Sequence, residues 1–387
     1  MKVLIAPDSF KESLDAPAVA QALAQGWCMG MPGAQCIELP VADGGEGTTQ
    51  TLVAATGGML HQARVEDPLG RPVDALWGEL PDGTAVIECA SASGLALLGP
   101  HERDPWCAST FGTGQLIKCA LDAGARRFII GLGGSATNDG GAGMLQALGL
   151  ELVDQAGGPV ERGAKGLARL SRINADGLDK RLMACEFQIA CDVNNPLVGQ
   201  EGASAVFGPQ KGASPAMVER LDRVLATYAS CVETTTGKAV KDEPGAGAAG
   251  GLGAAFLAFF PAQLKPGIDI VLDAVQFDQR LQDADLVLTG EGRIDRQSVR
   301  GKTIQGVARH ARAQNVPCIA VGGSVPVDPQ TLDLLSDEGI AAVFPILPAA
   351  ISLEQALSCA AENLRACARN LAAFSAWGQQ QTRQTAK

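Results

Sequence analysis

The stretch Gly133-Gly134-Ser135-Ala136-Thr137-Asn138-Asp139-Gly140-Gly141 combines several groups suited to handling phosphate. Glycines let backbone N–H groups approach an anion without a Cβ clash. Ser135 and Thr137 add hydroxyl donors, and Asp139 offers a carboxylate to a metal or a proton. The apolar run Phe128–Leu132 before it predicts a buried strand, and Ala142–Leu150 after it predicts the first turns of a helix. The start of that helix is expected to present further unpaired donors. A Gly-rich strand-to-helix turn with Ser and Asn caps is the structural alternative.

Four further loops carry acids or bases, each placed after a predicted strand, where open α/β sheets bind ligands. In Pro7-Asp8-Ser9-Phe10-Lys11-Glu12-Ser13, Lys11 can hold a carboxylate or phosphate as a point charge. In Asp43-Gly44-Gly45-Glu46-Gly47-Thr48, the two carboxylates can hold Mg2+ directly or through water, or Glu46 complements the dipole of the following helix. Asp192 in Cys191–Leu197 follows a predicted buried strand and reads as a general base, a metal ligand or the start of an Asx-turn. Phe207–Gly212 then supplies Lys211. Thr289–Asp295, continuing to Gly301-Lys302-Thr303, gathers Glu291, Arg293, Asp295 and Lys302.

Two motifs mislead. Gly301-Lys302-Thr303 resembles the end of a P-loop, but Arg296 stands where the first glycine is required. Gly245–Gly250 matches G-x-G-x-x-G, yet Lys241-Asp242-Glu243-Pro244 before it is no strand, so the dinucleotide fingerprint is incomplete. His61, His101 and His310 are scattered without ligand spacing.

The elements that must position these loops follow a βα rhythm at both chain ends. Lys2–Ala6, Cys36–Val41, Leu286–Thr289, Pro317–Gly322 and Ala342–Leu347 predict strands. Asp15 caps a helix with Pro17 in its first turn, and helices Thr48–Ala55 and Thr303–Ala313 follow other strands. Ser352 with Gln355 forms a capping box for one last helix, with its stripe on Leu353, Leu357, Ala361, Leu364, Ala368 and Leu371. Such alternation predicts a parallel sheet covered on both faces. Residues 59–98 read instead as short antiparallel strands with turns at Pro68-Leu69-Gly70 and Pro81-Asp82-Gly83. The expectation is an α/β protein of two domains: a Rossmann-like parallel-sheet domain from residues 1–71 and 276–377, a second α/β domain inserted at 72–275, the active site in the cleft, and a polar tail at 378–387 that frays.

The 387 residues suffice for two cores. No apolar stretch is long enough to span a membrane, and Met1–Ala6 runs into Pro7-Asp8, too short for a signal sequence. With 31 Lys+Arg against 42 Asp+Glu, the net charge of −11 argues against nucleic acid or anionic membranes as partners. The 11 cysteines are odd in number and lack C-x-x-C spacing, which points to a reduced, cytoplasmic protein without structural zinc.

Ala6–Lys11, Asp43–Thr48, Phe111-Gly112-Thr113-Gly114, Gly133–Gly141, Cys191–Leu197, Phe207–Gly212, Gly245–Gly253 and Gly290–Asp295 through Lys302 together resemble the bacterial glycerate kinase family, type-1 group. The motifs span nearly the whole chain in the family's order. The resemblance implies Mg2+ and ATP as cofactors, D-glycerate as the small-molecule substrate and 2-phosphoglycerate as product, with 3-phosphoglycerate as the alternative. On that basis Lys11 and Arg293, with Asp8 and Ser9, are candidates for glycerate binding. Asp192, with Asp295 as runner-up, is the candidate for orienting or deprotonating the acceptor hydroxyl. Gly133, Gly134, Ser135 and Thr137 would cradle phosphates, Lys211 or Lys302 would neutralise developing charge, and Asp43 or Asp139 would hold Mg2+. Two other classes compete: an NAD(P)-dependent hydroxy-acid oxidoreductase, and a two-lobed protein that binds a small acid without turnover. Oligomeric state is not encoded in any of these patterns.

Overall fold

Val3, Leu4 and Ile5 of the opening strand and Val287 and Leu288 of a distant one are fully enclosed, as strands covered on both faces must be. In the computed structural model, which describes residues 1–296, 298 and 303–385, they pair side by side in one parallel sheet. Its order is Ile340–Pro345, Cys318–Ser324, Leu286–Arg293, Lys2–Ile5, Gln35–Glu38, with every pairing parallel. Contacts divide the chain into two units, the first made of Met1–Asp43, Ala54–Thr56 and the chain from Ile268 onward, the second of Gly44–Val53 and Gly57–Gly267.

In the first unit, helix Ala16–Gly30 starts as its sequence requires: the Asp15 side chain accepts from the Ala18 amide at 2.8 Å and Pro17 sits in the first turn. It packs against the terminal helix Ala360–Thr385 through Leu23, Trp27, Leu364 and Ala368. Gly26 and Gly30 permit that approach, since a Cβ on either would lie 2.3 or 2.2 Å from a carbonyl of the partner helix. The single last helix expected from Ser352 is two helices, Leu353–Ser358 and Ala360–Thr385, because the chain leaves helical geometry at Cys359. The capping box at Ser352 and Gln355 is present. The segment expected to fray is helical to Thr385 in its described residues, and its Gln-rich composition contains no proline to stop the helix.

The second unit is built on a six-stranded mixed sheet in the order Ala262–Lys265, Glu186–Ala190, Arg127–Gly131, Thr84–Glu88, Pro72–Glu79, Met59–Glu66. The first four strands are parallel and the last three pair antiparallel, as the alternation of residues 59–88 predicts. The turn at Pro68–Gly70 closes because the Asp67 carboxylate accepts from the Leu69 and Arg71 amides, both at 2.9 Å. Residues 89–98, expected as strand, form short helical turns. Phe128 stacks on Phe187 at 4.8 Å beneath helix Ala248–Phe259 and the long helix Pro215–Thr236, which Ser214 caps. Among the described residues no helix is long and apolar enough to cross a membrane.

Candidate active site

Loops leaving the carboxyl ends of the first unit's strands line a cavity of about 760 Å3. It lies where the chain order reverses, between the opening strand and Leu286–Arg293, the position at which parallel sheets leave a crevice for ligands. The opening strand is followed by a tight turn in which Phe10 and Leu14 exchange backbone hydrogen bonds of 2.8 and 2.9 Å. Glu12 takes φ 65°, and Lys11 stands exposed at the tip. Gly292 runs alongside: a Cβ there would meet Phe10 Cα at 3.4 Å and the Lys11 nitrogen at 3.5 Å. Arg293 therefore enters the cavity lining beside Lys11, and its Nε pairs with Asp295 at 3.2 Å. The Asp295 amide donates to Ser298 Oγ at 3.0 Å, and that hydroxyl donates to Glu291.

Asp8 is a perturbed acid of this cavity. Its carboxylate accepts from the Ser9 amide at 2.6 Å and from the Thr303 hydroxyl. Burial, reinforced by the negative charge of Asp43, nevertheless raises its pKa to about 6. Among the described residues, five carboxylates (Asp8, Glu12, Asp43, Glu291, Asp295) line the cavity with two cations, Lys11 and Arg293.

The turn Gly133–Gly141 belongs to the second unit and is organised differently. Only Gly133 and Gly134 are exposed, whereas Ser135 through Gly141 are buried. Asp139, expected to reach a metal, accepts from the amides of Thr110 (2.9 Å), Gly141 (3.1 Å) and Gly143 (3.2 Å) and from the Thr110 hydroxyl. Burial raises its pKa, and those hydrogen bonds oppose the shift. The helix is short, Ala142–Ala147, and the donors expected to be unpaired at its start are taken by Asp139, so this helix start is closed to an outside anion. Lys211 is likewise enclosed. Its ammonium donates to Ser135 Oγ at 2.8 Å and to the Thr137 carbonyl at 2.7 Å, and burial lowers its pKa to about 8.

Gly245–Gly250, unsuited to a dinucleotide, has a packing role instead. Gly250, at φ 68°, accepts at its carbonyl from the Gly140 amide at 2.9 Å, and a Cβ on it would lie 2.0 Å from the Thr137 carbonyl oxygen.

Along the carboxyl edge of the second unit's sheet, Gly44 at φ 87° lies against Ala190 and Gly267, its carbonyl lies against Gly131, and Gly45 lies against Gly133. The loop therefore needs glycine for contact as much as for conformation. Glu46 is exposed, and the carboxylate that binds the first amides of helix Thr48–Thr56 comes from a distant acid. Glu88 accepts from the Thr49 amide at 2.7 Å and the Gly47 amide at 3.1 Å. Asp192 is exposed at the same edge, with Oδ1 accepting from the Gly267 amide at 2.9 Å.

The structure thus gathers Asp8, Ser9, Lys11, Asp43, Arg293 and Asp295 around one cavity. It joins Ser135, Thr137 and Lys211 in one hydrogen-bonded cluster. Lys302 lies outside the described residues. Sequence reasoning missed Glu88, Thr110 and Ser298. An acid closing an otherwise apolar strand, as in Thr84–Glu88, was the available signal for the first. Among the described residues no three acidic, histidine or cysteine side chains gather as ligands for one ion.

A family model described as the Glycerate kinase family matches residues 3–376. The chain is 52% identical to the glycerate kinase of Bacillus subtilis, over 96% of this chain and 97% of that protein. It is 50% identical to the glycerate 2-kinase of Escherichia coli, over 98% and 99% of the two chains. A crystal structure from Salmonella typhimurium, which carries the provisional name glycerate kinase 2, superposes with a TM-score of 0.90 at 51% identity and covers 98% of this chain and 99% of that one.

Proposed function

The chain belongs to the glycerate kinase family, and on that premise we propose that it transfers the terminal phosphoryl group of ATP to the C2 hydroxyl of D-glycerate, releasing 2-phosphoglycerate and ADP. The observation that supports this most is the first unit's cavity, where Lys11 and Arg293 stand beside acids at the carboxyl ends of parallel strands. Phosphoryl transfer asks a protein chiefly for positioning and charge neutralisation. Lys11 holds the glycerate carboxylate as a point charge and Arg293 as a planar fork.

The excess of carboxylates among the described lining residues favours a polyphosphate that a divalent cation accompanies. An all-oxygen donor set suits Mg2+, which takes one or two carboxylates and keeps water and phosphate oxygens as its remaining ligands. Asp43, with Asp8 beside it, is the pair that would hold it. Asp139 is set aside, because its oxygens are engaged within the turn. When bound, the ion neutralises phosphate charge.

Asp192 orients the acceptor hydroxyl and takes its proton. A hydroxyl of high pKa gives up its proton late in a loose transition state, so an ordinary aspartate suffices. The backbone of the exposed residues Gly133 and Gly134 meets phosphate oxygens, while Ser135, Thr137 and Lys211 hold that turn from within. All eleven cysteines are free thiols, which suits a cytoplasmic enzyme.

The choice of C2 follows the name of the Escherichia coli relative. A coupled assay decides it. With ATP, Mg2+ and D-glycerate, phosphoenolpyruvate should form when enolase alone is added. Formation only after phosphoglycerate mutase is also supplied would assign C3, and no phosphoenolpyruvate in either case would overturn the proposal.

A further inference from the structure

We propose that the first unit's cavity binds the nucleoside of ATP, with adenine and ribose lying on an apolar wall built by Ile346, Leu347, Leu353, Ala356 and Leu357. This rests on the ATP-dependent reaction proposed above, and it gives the nucleoside to a cavity whose lining does not include, among the described residues, the Gly-rich turn that looks most like a nucleotide motif.

Size is the first ground. At roughly 30 Å3 for each water-sized group, a three-carbon acid needs about 200 Å3. The cavity measures about 760 Å3, in the range of sites for ligands several times larger.

The second ground is how polarity is distributed. The charged groups come from the opening strand's loop, from Asp43 after Gln35–Glu38, and from the end of Leu286–Arg293 and the turn that follows it. The apolar wall comes from the segment after Ile340–Pro345 and from helix Leu353–Ser358. Strand Ile340–Pro345 is two places from Leu286–Arg293 in the sheet, so at about 4.8 Å per strand spacing the two ends lie roughly 10 Å apart. That is the reach of a nucleoside whose phosphates lie at the charged end. Between them, strand Cys318–Ser324 contributes only Gly323 and Ser324 to the lining. These small residues leave the floor open and offer one hydroxyl for a ribose.

Leu353 supplies the third ground. It is 72% exposed on a helix whose other cavity-facing residues are apolar, as expected of a side chain that covers a flat ring on binding.

Steady-state kinetics on the full chain test this with Leu353→Glu, at an exposed position that tolerates the change in folding, and Ala356→Trp, which fills the wall; melting temperatures report the fold of each. The KM for ATP should rise at least about tenfold in both. The KM for D-glycerate and the inhibition constant of inorganic tripolyphosphate, which has the charge but no nucleoside, should stay within about twofold. An unchanged KM for ATP in both variants, or tripolyphosphate inhibition weakened by the same factor as ATP, overturns the inference while leaving the reaction in place. Wild-type protein that transfers no phosphoryl group from ATP overturns both together.

Discussion

Around the first unit's cavity, Lys11 stands exposed on a short loop and Arg293 at the end of a strand, and the acids beside them line the same space. In the second unit, Lys211 is 2% exposed and Asp139 is fully enclosed, each spending its hydrogen bonds on the backbone and hydroxyls of neighbouring turns. The residue types are the same, but the work is different. An exposed charge with few fixed partners is available to a ligand, whereas an enclosed and satisfied one is available only to the fold. The turn Gly133–Gly141 thus exposes only its Gly133-Gly134 tip, and buried side chains hold the rest of the turn in place.

The comparison is strained most by disturbing the turn's support. Gly250→Ala would place a Cβ 2.0 Å from the Thr137 carbonyl oxygen at a left-handed φ of 68°. A loss of about 4 kcal/mol is expected, combining left-handed strain and backbone displacement. Urea unfolding measures it, and a loss below about 1 kcal/mol would mean the two segments are not packed as described.

Lys211 sharpens the contrast through pH. Its pKa in the fold, about 8, is below the ordinary 10.5, so the folded protein releases this proton more readily than the unfolded chain. The charged lysine therefore lowers stability fully below pH 8, and the penalty fades as pH rises toward 10.5. The whole shift corresponds to roughly 3 kcal/mol at about 1.36 per unit. Relative to Lys211→Met, which cannot titrate, the wild type should gain about 2 kcal/mol between about pH 7.5 and 9.5. A constant difference across that range would contradict an enclosed ammonium.

The smallest effect is expected on the exposed side. Lys11→Ala should leave unfolding within about 0.5 kcal/mol of wild type, as for an exposed loop position. It should raise the KM for glycerate about tenfold, the scale of one weakened charge contact. A pure kcat defect would move Lys11 away from ground-state binding.

Much of the framework was legible from local chemistry. Asp15, Ser214 and Ser352 announce helix starts, and all three side chains make the capping bonds expected of them. Turns at Gly70 and Gly83 separate strands that pair as the alternation requires. That Asp8, Lys11, Arg293 and Asp295 would lie at the carboxyl ends of parallel strands was legible, because each loop followed an apolar run. What could not be read was which side of the surface a charged group would occupy. The interior role of Asp139 depends on Thr110, and that of Lys211 on a turn 74 residues earlier. Such partners are set by tertiary packing, and no local pattern around Asp139 or Lys211 reports them. The break at Cys359 was hidden for a related reason, since the helical stripe continues in sequence on both sides of it.

Asp43→Asn and Asp139→Asn, measured side by side for turnover and melting temperature, test the division between ligand-facing and fold-facing charge most directly. Asp43→Asn is expected to lower kcat at least about a hundredfold, the scale of a lost charge at a phosphoryl-transfer site, with an unchanged melting temperature. Asp139→Asn should instead lower the melting temperature by several degrees, as an amide NH2 replaces an oxygen that accepts backbone donors. Normal stability in Asp139→Asn together with lost activity, or normal turnover in Asp43→Asn, would contradict the account.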